Sequence, residues 1–352
     1  MSAAAPAHAM KYRFLGESGL LVSTLSLGSW VNFDNGFGVD RAYEIMARAF
    51  AQGVNFFDNA ENYANGQSET IMGQAVQRGV ENGVWTREDL VLTTKICGGT
   101  KTGPNDQGLS RKHIIEGTKA SLQRLQLEYV DVLFCHRPDP RTTIEKTVRA
   151  MNFCIEQGWA FYWGTSEWPP GDILEACAIA DRLGLVRPIV EQPEYNIFER
   201  SKVEFAYVNL YKKYKLGLTT WSPLAFGVLT GKYSNGIPEG SRLSQLSHPF
   251  HAGLVKNLDE RVAKVDKFKG IADELGCSLA QLAIAWCASN ENVSTVITGA
   301  TSVAQLDENL QALAVVGKLT PEVKCQIDAV VQFVYKLPVT EPRIIAMRER
   351  YL

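Results

Sequence analysis

The stretch Val130-Asp131-Val132-Leu133-Phe134-Cys135-His136, with the run Ile144–Gln157 that follows it, contains the unit that decides the fold. The first segment is short and nearly continuously apolar, as is typical of a strand buried in a parallel sheet. The second has the length and amphipathic spacing of a helix. The same unit recurs on both sides of this stretch. The other strands are predicted at Leu25–Gly28, Val54–Asp58, Leu90–Lys95, Ala160–Thr165, Ile189–Gln192, Leu218–Trp221 and Thr295–Gly299, and further helices at Asp40–Gln52, Glu69–Gln77, Arg111–Arg124 and Asp172–Leu183.

Eight such units predict one α/β domain in the form of a closed (β/α)8 TIM barrel. The alternative is an open, doubly wound sheet. An open sheet that binds a dinucleotide would carry the pattern G-x-G-x-x-G after its first strand, and the sequence has no such match there. The closed barrel is therefore favoured.

An N-terminal hairpin is predicted ahead of the barrel. Tyr12–Phe14 and Leu21–Val22 flank the turn Gly16-Glu17-Ser18-Gly19, which is a hairpin signal, and this hairpin would plug the bottom of the barrel. Residues 1–10 are small, rich in alanine and without an apolar core, so we expect a flexible tail and not a secretory signal. Residues 11–352 would then form a single domain.

Two further segments exceed a regular barrel. The stretch Ser222–Leu258 after the seventh strand is long and rich in Gly, Ser and Pro, which is typical of a binding loop or a lid. An extra helix at Glu260–Leu275 is predicted before the helix of the repeat at Ser278–Ser289. One more helix is expected at the C-terminus, in Pro321–Leu352.

The composition excludes several classes of protein. With 352 residues and 45% hydrophobic content, the chain is able to bury a core. Its 36 Lys and Arg against 38 Asp and Glu give a net charge of −2, which argues against a nucleic-acid partner. No run of about 18 apolar residues is present, so we do not expect the chain to span a membrane. Seven cysteines without a C-x-x-C pair indicate reduced thiols and a cytoplasmic protein, and His248 and His251 have no third ligand nearby that would predict a metal site.

Polar side chains stand at the ends of three successive predicted strands. Asp58 ends the second strand, Lys95 the third and His136 the fourth, while Tyr63 follows shortly after Asp58. The strand ends at the carboxyl face of a (β/α)8 barrel carry its functional residues. Each residue alone has an ordinary explanation, such as a helix cap, a solvated strand end or a buried histidine. Their occurrence together at consecutive strand ends favours a catalytic site.

The chemistry that suits these four residues is carbonyl reduction. Addition of hydride to a carbonyl carbon makes an alkoxide, so a nearby acid must supply a proton. Tyr63 is the candidate acid, although the unperturbed pKa of a phenol is about 10. The Lys95 ammonium is expected to lower that pKa, and the Asp58 carboxylate to hold Lys95 in place. His136 would orient the carbonyl oxygen.

Three runs carry a resemblance to a known family. They are Asn55-Phe56-Phe57-Asp58-Asn59-Ala60-Glu61-Asn62-Tyr63, Tyr162-Trp163-Gly164-Thr165-Ser166 and Trp221-Ser222-Pro223-Leu224-Ala225. The sequence resembles the aldo-keto reductase superfamily from Lys11 to about Asn309, and most of all the branch of the voltage-gated potassium channel β subunits with their plant and microbial relatives. The resemblance implies a (β/α)8 barrel, NADPH as cofactor, and a catalytic set at Asp58, Tyr63, Lys95 and His136. Channel-bound animal members carry Asn where His136 stands, so the histidine indicates a working reductase.

The resemblance also implies which residues contact the cofactor. Ser166 and Gln192 would hydrogen-bond the nicotinamide carboxamide, and Trp221 would stack on the nicotinamide ring. The other implied contacts are Gly28, Trp30 and Asp58 around the pocket, Ser222, Leu224, Gly227 and Lys232 on the loop over the pyrophosphate, Arg242 further along it, and Gly299, Thr301, Gln305, Glu308 and Asn309 at the adenosine end.

The preference for NADPH over NADH is expected to rest on one loop. Lys232 and Arg242 are natural clamps for the 2′-phosphate that distinguishes the two cofactors. After the eighth strand, Thr301 and Ser302 can open a helix whose N-terminal amides would face phosphate. Many aldo-keto reductases have a basic residue in that segment, and this chain has none.

Two functions stay open at this point. The first is NADPH-dependent reduction of a small aldehyde or ketone substrate. The second is a regulatory subunit that binds NADPH and reports redox state to a partner such as a potassium channel. The resemblance also implies a homotetramer. Trp30, Phe33, Trp168 and Phe226 suggest an apolar or aromatic substrate pocket, and packing in the core is an almost equally good explanation of them.

Overall fold

The computed structural model describes residues 10–30, 36–244, 257–335 and 349. Its strands form a two-stranded antiparallel hairpin and a closed barrel of eight parallel strands in chain order. The hairpin strands are β1 (Tyr12–Phe14) and β2 (Leu21–Ser23). The barrel strands are β3 (Leu25–Gly28), β4 (Phe56–Asp58), β5 (Val91–Ile96), β6 (Val130–Cys135), β7 (Ala160–Ser166), β8 (Val190–Gln192), β9 (Gly217–Thr220) and β10 (Thr295–Thr298).

The barrel closes between its last and first strands. β10 pairs in parallel with β3, so that Val296 aligns with Leu25 and Thr298 with Leu27. Every residue of β5 and β6 is buried, because the barrel interior covers one face of these strands and helices cover the other. The predicted (β/α)8 barrel is confirmed.

Amphipathic helices cover the outside of the barrel. The first, α1 (Val39–Ala51), buries Ala42, Ile45, Met46 and Ala49, as the spacing predicts. The others are α2 (Gln67–Glu81), α3 (Arg111–Leu125), α4 (Ile144–Glu156), α5 (Pro170–Leu183), α6 (Val208–Tyr214), α7 (Leu258–Leu275), α8 (Leu279–Ala288), α9 (Val303–Leu310), α10 (Leu313–Val316) and α11 (Pro321–Val331). Among the described residues, no single helix has both the length and the apolar character needed to cross a membrane; α7 and α8 meet those criteria only as a pair, bent by 83°.

The hairpin closes the amino-terminal end of the barrel, as predicted. Leu15, next to its turn, is fully buried in a cluster with Phe56 and other strand residues from the barrel bottom. Gly16 has a φ of +61°, and a Cβ there would lie within 2.8 Å of backbone atoms of Ile189 and Gly217. The turn therefore approaches the strand ends so closely that only glycine fits.

One helix in the barrel is absent from the sequence prediction. Between β8 and β9 the chain forms a π-helical turn, Ser201–Ala206, followed by α6. α6 has only seven residues, so it is too short to give a periodic signal. The extra helix after β9 and the C-terminal helix are present as α7 and α11.

Some predictions concern residues outside the described part of the chain. The tail predicted for residues 1–10 is one of them, except for Met10. His248, His251 and the middle of the predicted lid loop lie in the gap 245–256, and Phe33 lies in the gap 31–35. These predictions stay open.

Candidate active site

Asp58 and Lys95 meet at the carboxyl end of the barrel. Asp58 is the last residue of β4, and Lys95 lies one residue before the end of the neighbouring β5. Lys95 Nζ is 2.5 Å from Asp58 Oδ2, and both side chains are almost inaccessible to solvent. The other carboxylate oxygen, Oδ1, accepts hydrogen bonds from Thr93 Oγ1 at 2.8 Å and Gln192 Nε2 at 3.1 Å. A buried pair of this kind persists only when its charges and lone pairs are satisfied in this way.

The hydroxyl of Tyr63 reaches the same ammonium. Lys95 Nζ lies 3.1 Å from the Tyr63 hydroxyl and donates to the carbonyl oxygen of Asn59 at 2.7 Å. An ammonium has three N–H donors, and Asp58, Asn59 and Tyr63 take all three. The position of the phenol hydroxyl is therefore set by a buried ammonium whose three N–H donors all have acceptors.

A strained turn holds Tyr63 in this position. Tyr63 opens the 3-10 turn Tyr63–Gly66, in which Ala64 and Asn65 have φ of +46° and +54°. Asparagine tolerates this left-handed region, but for Ala64 it costs about 1 kcal/mol or more. Such strain is found where a site needs a side chain in a position that relaxed backbone would not provide.

The pKa of Tyr63 differs from the sequence prediction. Burial raises the pKa of the phenol above its ordinary value, and the Lys95 ammonium opposes this only in part. The predicted net lowering of the pKa of Tyr63 is therefore wrong. Burial acting alone would lower the pKa of Lys95, but Asp58 and Tyr63 outweigh it, and the pKa of Lys95 is raised. A protonated phenol beside a firmly charged ammonium is the state that a proton donor requires.

His136 completes the predicted set of four. It directly follows β6, and its backbone N–H donates to the carbonyl of Ile96 at 3.0 Å. Its imidazole lies edge to face with the Tyr63 ring, with the ring centroids 5.6 Å apart and the planes at 77°. The structure thus brings Asp58, Tyr63, Lys95 and His136 together.

Ser166, Gln192 and Trp221 lie beside this group. Ser166 ends β7 and its Oγ donates to the carbonyl of Gln192 at 2.9 Å. Gln192 ends β8, and its amide contacts Thr219 as well as Asp58. Trp221 directly follows β9. Of these three residues, Gln192 contacts the Asp58 carboxylate directly and Ser166 contacts Gln192.

An aromatic wall borders Tyr63. Trp30 lies edge to face with Phe226 and with Trp221, at centroid distances of 5.9 and 6.3 Å. Its ring centroid is 6.5 Å from that of Tyr63. Trp168, the other tryptophan considered for the pocket, is instead fully buried in the main core.

Gly28 leaves room at the end of the first barrel strand. It aligns with Asp58 across β3 and β4. A Cβ at this position would lie 2.6 Å from Cγ2 of Ile297. Glycine is therefore required by the packing of β3 against β10, and this explains the residue without reference to a cofactor.

The loop after β9 is strained and contains a buried hydroxyl. Ser222, Ala225, Phe226 and Gly227 have φ of +59°, +46°, +58° and +89°, and Leu224 lies among them. The backbone N–H groups of Ala225 and Gly227 donate within the loop, to the carbonyls of Ser222 and Leu224 at 3.0 and 2.9 Å. Ser222 Oγ is buried with no hydrogen-bond partner among the described residues. A strained loop with a buried, unpartnered hydroxyl fits the pyrophosphate of a dinucleotide.

Of the two predicted phosphate clamps, Lys232 and Arg242, only Lys232 has a side chain that the structure describes. Lys232 is exposed, and its Nζ would lie 2.8 Å from a Cβ at Gly227, so glycine allows the lysine to lie against the loop. Arg242 begins the 3-10 turn Arg242–Ser244, and its side chain lies outside the described part of the structure. Only Lys232 is therefore placed against the loop.

The predicted adenosine contacts are adjacent on β10 and α9. Thr301 donates to Gln305 Oε1 from both its backbone N–H and its hydroxyl, each at 2.8 Å. Ser302 caps α9 by accepting from the backbone N–H of Gln305 at 3.2 Å, so the predicted helix start is confirmed. Asn309 Nδ2 donates to the carbonyl of Gly299 at 3.3 Å. Glu308, on the same helix, accepts from Ser278 at 3.2 Å.

Sequence reasoning missed a second polar group beside Trp221. We call Glu167, Glu191, Glu194 and Lys202 the glutamate cluster. Glu167 Oε1 accepts from Trp221 Nε1 at 3.1 Å and from the backbone N–H of Glu194 at 2.6 Å, and its other oxygen pairs with Lys202. A signal was present, because Glu167 directly follows a strand end and Glu191 and Glu194 lie close to another.

The carboxyl groups of the glutamate cluster differ in protonation. Burial raises the pKa of Glu191 to about 7 and that of Glu194 to about 8, and repulsion from Glu167 adds to both shifts. Burial also acts to raise the pKa of Glu167, but Lys202 and Arg137 outweigh it and that pKa is lowered. Glu167 is therefore the carboxyl group of the cluster that is ionised most readily.

Comparison with known proteins agrees with this geometry. The model of the Aldo/keto reductase family matches residues 24–332. A protein of Arabidopsis thaliana named probable voltage-gated potassium channel subunit beta is 58% identical over 332 residues, which cover 94% of this chain and 99% of the relative. A protein of Oryza sativa subsp. japonica with the same name is 57% identical over 326 residues, which cover 92% and 97%. The similarity thus extends over almost the whole of all three chains.

Proposed function

The chain belongs to the aldo/keto reductase family, and from this premise we propose that it reduces aldehydes or ketones to alcohols with NADPH. One observation carries the proposal. The buried ammonium of Lys95 lies 2.5 Å from the Asp58 carboxylate and 3.1 Å from the Tyr63 hydroxyl, with His136 against the phenol ring. This arrangement provides a positioned proton donor with a cation beside it, which is what reduction of a carbonyl group needs.

Each of the four residues has a separate task in the proposed reaction. The chemistry supplied by bound NADPH is hydride donation to the carbonyl carbon. Tyr63 gives its hydroxyl proton to the carbonyl oxygen as negative charge develops there. Lys95 stabilises the phenolate that remains, and Asp58 keeps Lys95 charged and in place. His136 donates a hydrogen bond to the carbonyl oxygen and orients it toward Tyr63.

The cofactor would lie along the carboxyl end of the barrel. Trp221 would stack against the nicotinamide ring, and Ser166 and Gln192 would bind its carboxamide. The strained loop and the unpartnered Ser222 hydroxyl support binding of the pyrophosphate there. The remaining proposed contacts are Gly28, Trp30, Asp58, Leu224, Gly227, Lys232, Arg242, Gly299, Thr301, Gln305, Glu308 and Asn309.

A second function is supported by the relatives. Both curated relatives, at 58% and 57% identity, are named as probable subunits of a voltage-gated potassium channel. The alternative is therefore a cytoplasmic, homotetrameric subunit that binds NADPH and reports redox state to a channel. Both functions require the cofactor site, but only the enzyme requires His136 for turnover.

The test is consumption of NADPH by the purified full chain. The absorbance of the reduced nicotinamide is followed against a panel of aliphatic and aromatic aldehydes, with protein-free reactions as the control. We expect steady turnover with at least one aldehyde and formation of the alcohol in equal amount. Tight NADPH binding without turnover on any member of the panel would favour the regulatory subunit, and absence of NADPH binding would contradict both functions.

A further inference from the structure

Glu167 makes a contact with Trp221 that the catalytic chemistry does not use. Its Oε1 accepts the indole Nε1–H at 3.1 Å. We propose that Glu167 is a positioning residue: it sets the rotation of the Trp221 side chain, and so the plane on which the nicotinamide ring stacks. The inference rests on the proposed function, because it takes Trp221 as the stacking partner of the cofactor.

The backbone of Trp221 is already fixed by its neighbours. Trp221 forms a parallel bridge with Glu194, its N–H donates to the carbonyl of Pro193 at 3.1 Å, and its carbonyl accepts from Tyr195 at 3.2 Å. These contacts fix the start of the side chain but leave its rotation to other groups. Side-chain contacts must therefore hold the ring.

Aromatic contacts alone do not select one rotation of the indole. The rings of Trp30 and Phe226 both lie edge to face with Trp221, at 6.3 and 6.2 Å between centroids. Contacts of this type are weak and tolerate a range of angles. An indole has a single N–H donor, and Glu167 accepts it. Because this bond is directional and its acceptor is charged, it is the contact that defines the ring plane.

The acceptor is itself held in one place. Glu167 has a φ of +60°, which sends the chain into an unusual direction directly after β7. The same Oε1 accepts from the backbone N–H of Glu194 at 2.6 Å, while Oε2 pairs with Lys202. The guanidinium of Arg137 lies on the Trp221 ring, 6.0 Å from its centroid. A carboxylate with three donors and two nearby cations is rigid and charged, as a positioning group must be.

The structure offers a matched control for this contact. Glu204 accepts a hydrogen bond from an aromatic side chain, the Tyr195 hydroxyl at 2.8 Å, and lies 4.0 Å from the guanidinium of Arg200. It thus has the same kind of partners as Glu167 but does not contact Trp221. Glu204→Gln removes a carboxylate of similar surroundings without touching the proposed stacking residue.

The experiment measures dissociation constants for two ligands by calorimetry. One ligand is NADPH, and the other is 2′-phospho-ADP-ribose, which lacks the nicotinamide ring. In Glu167→Gln the acceptor loses its charge and the bond to the indole is no longer charge-assisted, so we expect the Kd for NADPH to rise about tenfold while the Kd for the fragment stays unchanged. In the Trp221→Phe background, which keeps a ring but has no N–H, the same substitution should change the Kd for NADPH less than about twofold. Glu204→Gln should bind both ligands as the wild type does.

Two results would overturn the inference. One is an equal loss of affinity for NADPH and for the fragment in Glu167→Gln, and the other is a loss that persists in the Trp221→Phe background. If Glu167→Gln does not fold, Trp221→Phe alone removes the hydrogen bond between the two residues. An unchanged Kd for NADPH in that variant also overturns the inference. A wild-type chain that binds the fragment but not NADPH overturns both this inference and the proposed function, whereas normal NADPH binding with no effect of Glu167→Gln overturns the inference alone.

Discussion

Two groups of buried ionisable side chains lie at the carboxyl end of the barrel, and they are stabilised in different ways. In the first, one carboxylate, Asp58, faces one ammonium, Lys95. In the glutamate cluster, the ammonium of Lys202 pairs with Glu167, while Glu191 and Glu194 feel its charge only at longer range. Lys95 has a raised pKa and stays charged, whereas Glu191 and Glu194, with pKa values raised to about 7 and about 8, are at least partly protonated at neutral pH.

The difference shows that partners, more than depth, decide whether a buried group is charged. Asp58 and Glu191 are both almost completely buried. Asp58 has an ammonium at 2.5 Å, while among the described residues Glu191 accepts from neutral donors such as Thr165 and the backbone of Trp168. A fixed charge is thus placed beside Tyr63, where the proposed reaction develops charge, whereas in the glutamate cluster the pKa is lowered only for Glu167, which contacts Trp221.

Loss of the ammonium should affect the first group most. In Lys95→Met the Asp58 carboxylate stays buried without its cation, so we expect turnover to fall about a thousandfold and stability to fall by about 3–5 kcal/mol. In Lys202→Met, Glu167 can take up a proton as its neighbours do, and the loss of stability should be smaller. Urea unfolding of both variants, with NADPH consumption, measures this. Equal losses of stability in the two variants would contradict the comparison.

His136 separates the two proposed functions of the first group. His136→Asn removes the donor that orients the carbonyl oxygen, so we expect turnover to fall by about 10- to 1000-fold with the Kd for NADPH unchanged. The measurement pairs turnover with the gating of a potassium channel expressed together with the protein. Wild-type turnover in this variant would remove the main reason for preferring the enzyme, and a lowered turnover with an unchanged channel response would favour the regulatory subunit.

Lys232 is a lysine outside both groups and can be compared with Lys95 and Lys202. It is exposed, so Lys232→Ala should leave stability unchanged. If it contacts the 2′-phosphate, the substitution should reduce the preference for NADPH over NADH by about tenfold, because a charge-assisted contact to phosphate is worth about 1.5–3 kcal/mol. Dissociation constants for both cofactors provide the test, with Lys269→Ala, another exposed lysine, as the control. Equal affinity of the wild type for the two cofactors would contradict the assignment.

The protonated carboxyls of the glutamate cluster predict a specific effect of pH. The pKa of Glu191 is about 7 in the folded chain, above the ordinary value of about 4.3. The folded state therefore binds the proton more tightly, and this contribution to stability is complete below about pH 4 and is lost as the pH rises through about 7. Glu191→Gln keeps a neutral group at every pH, so it should be more stable than the wild type at about pH 8, by about 1–3 kcal/mol, and should gain less at about pH 5.

Urea unfolding at the two pH values measures this effect, with Glu204→Gln as the control. A gain that is the same at both pH values would show that Glu191 does not titrate in this range.

Much of the fold and of the catalytic group could be predicted because both depend on strand ends. Apolar runs located the eight strands, and the residues that end them, such as Asp58 and His136, meet at one face by the geometry of a barrel. The short helix α6 was missed because seven residues give no periodic signal. The predicted direction of the pKa shift of Tyr63 is wrong, because burial raises this pKa more than the Lys95 ammonium lowers it. Burial is a property of the folded chain. The proposed role of Glu167 could not be predicted, because it depends on the rotation of the Trp221 side chain. No sequence pattern reports that rotation.

The central claim is that Tyr63 supplies the proton to a carbonyl substrate, and Tyr63→Phe tests it most directly. Turnover on the best aldehyde of the panel and the Kd for NADPH are measured in the same preparation, with Tyr211→Phe as the control. The Tyr211 hydroxyl donates to the carbonyl of Val203 at 2.8 Å, outside the proposed site. We predict that Tyr63→Phe lowers turnover by about 100- to 10,000-fold with the Kd for NADPH nearly unchanged, while Tyr211→Phe keeps both values. Reduction of the aldehyde by Tyr63→Phe at the wild-type rate would contradict the account.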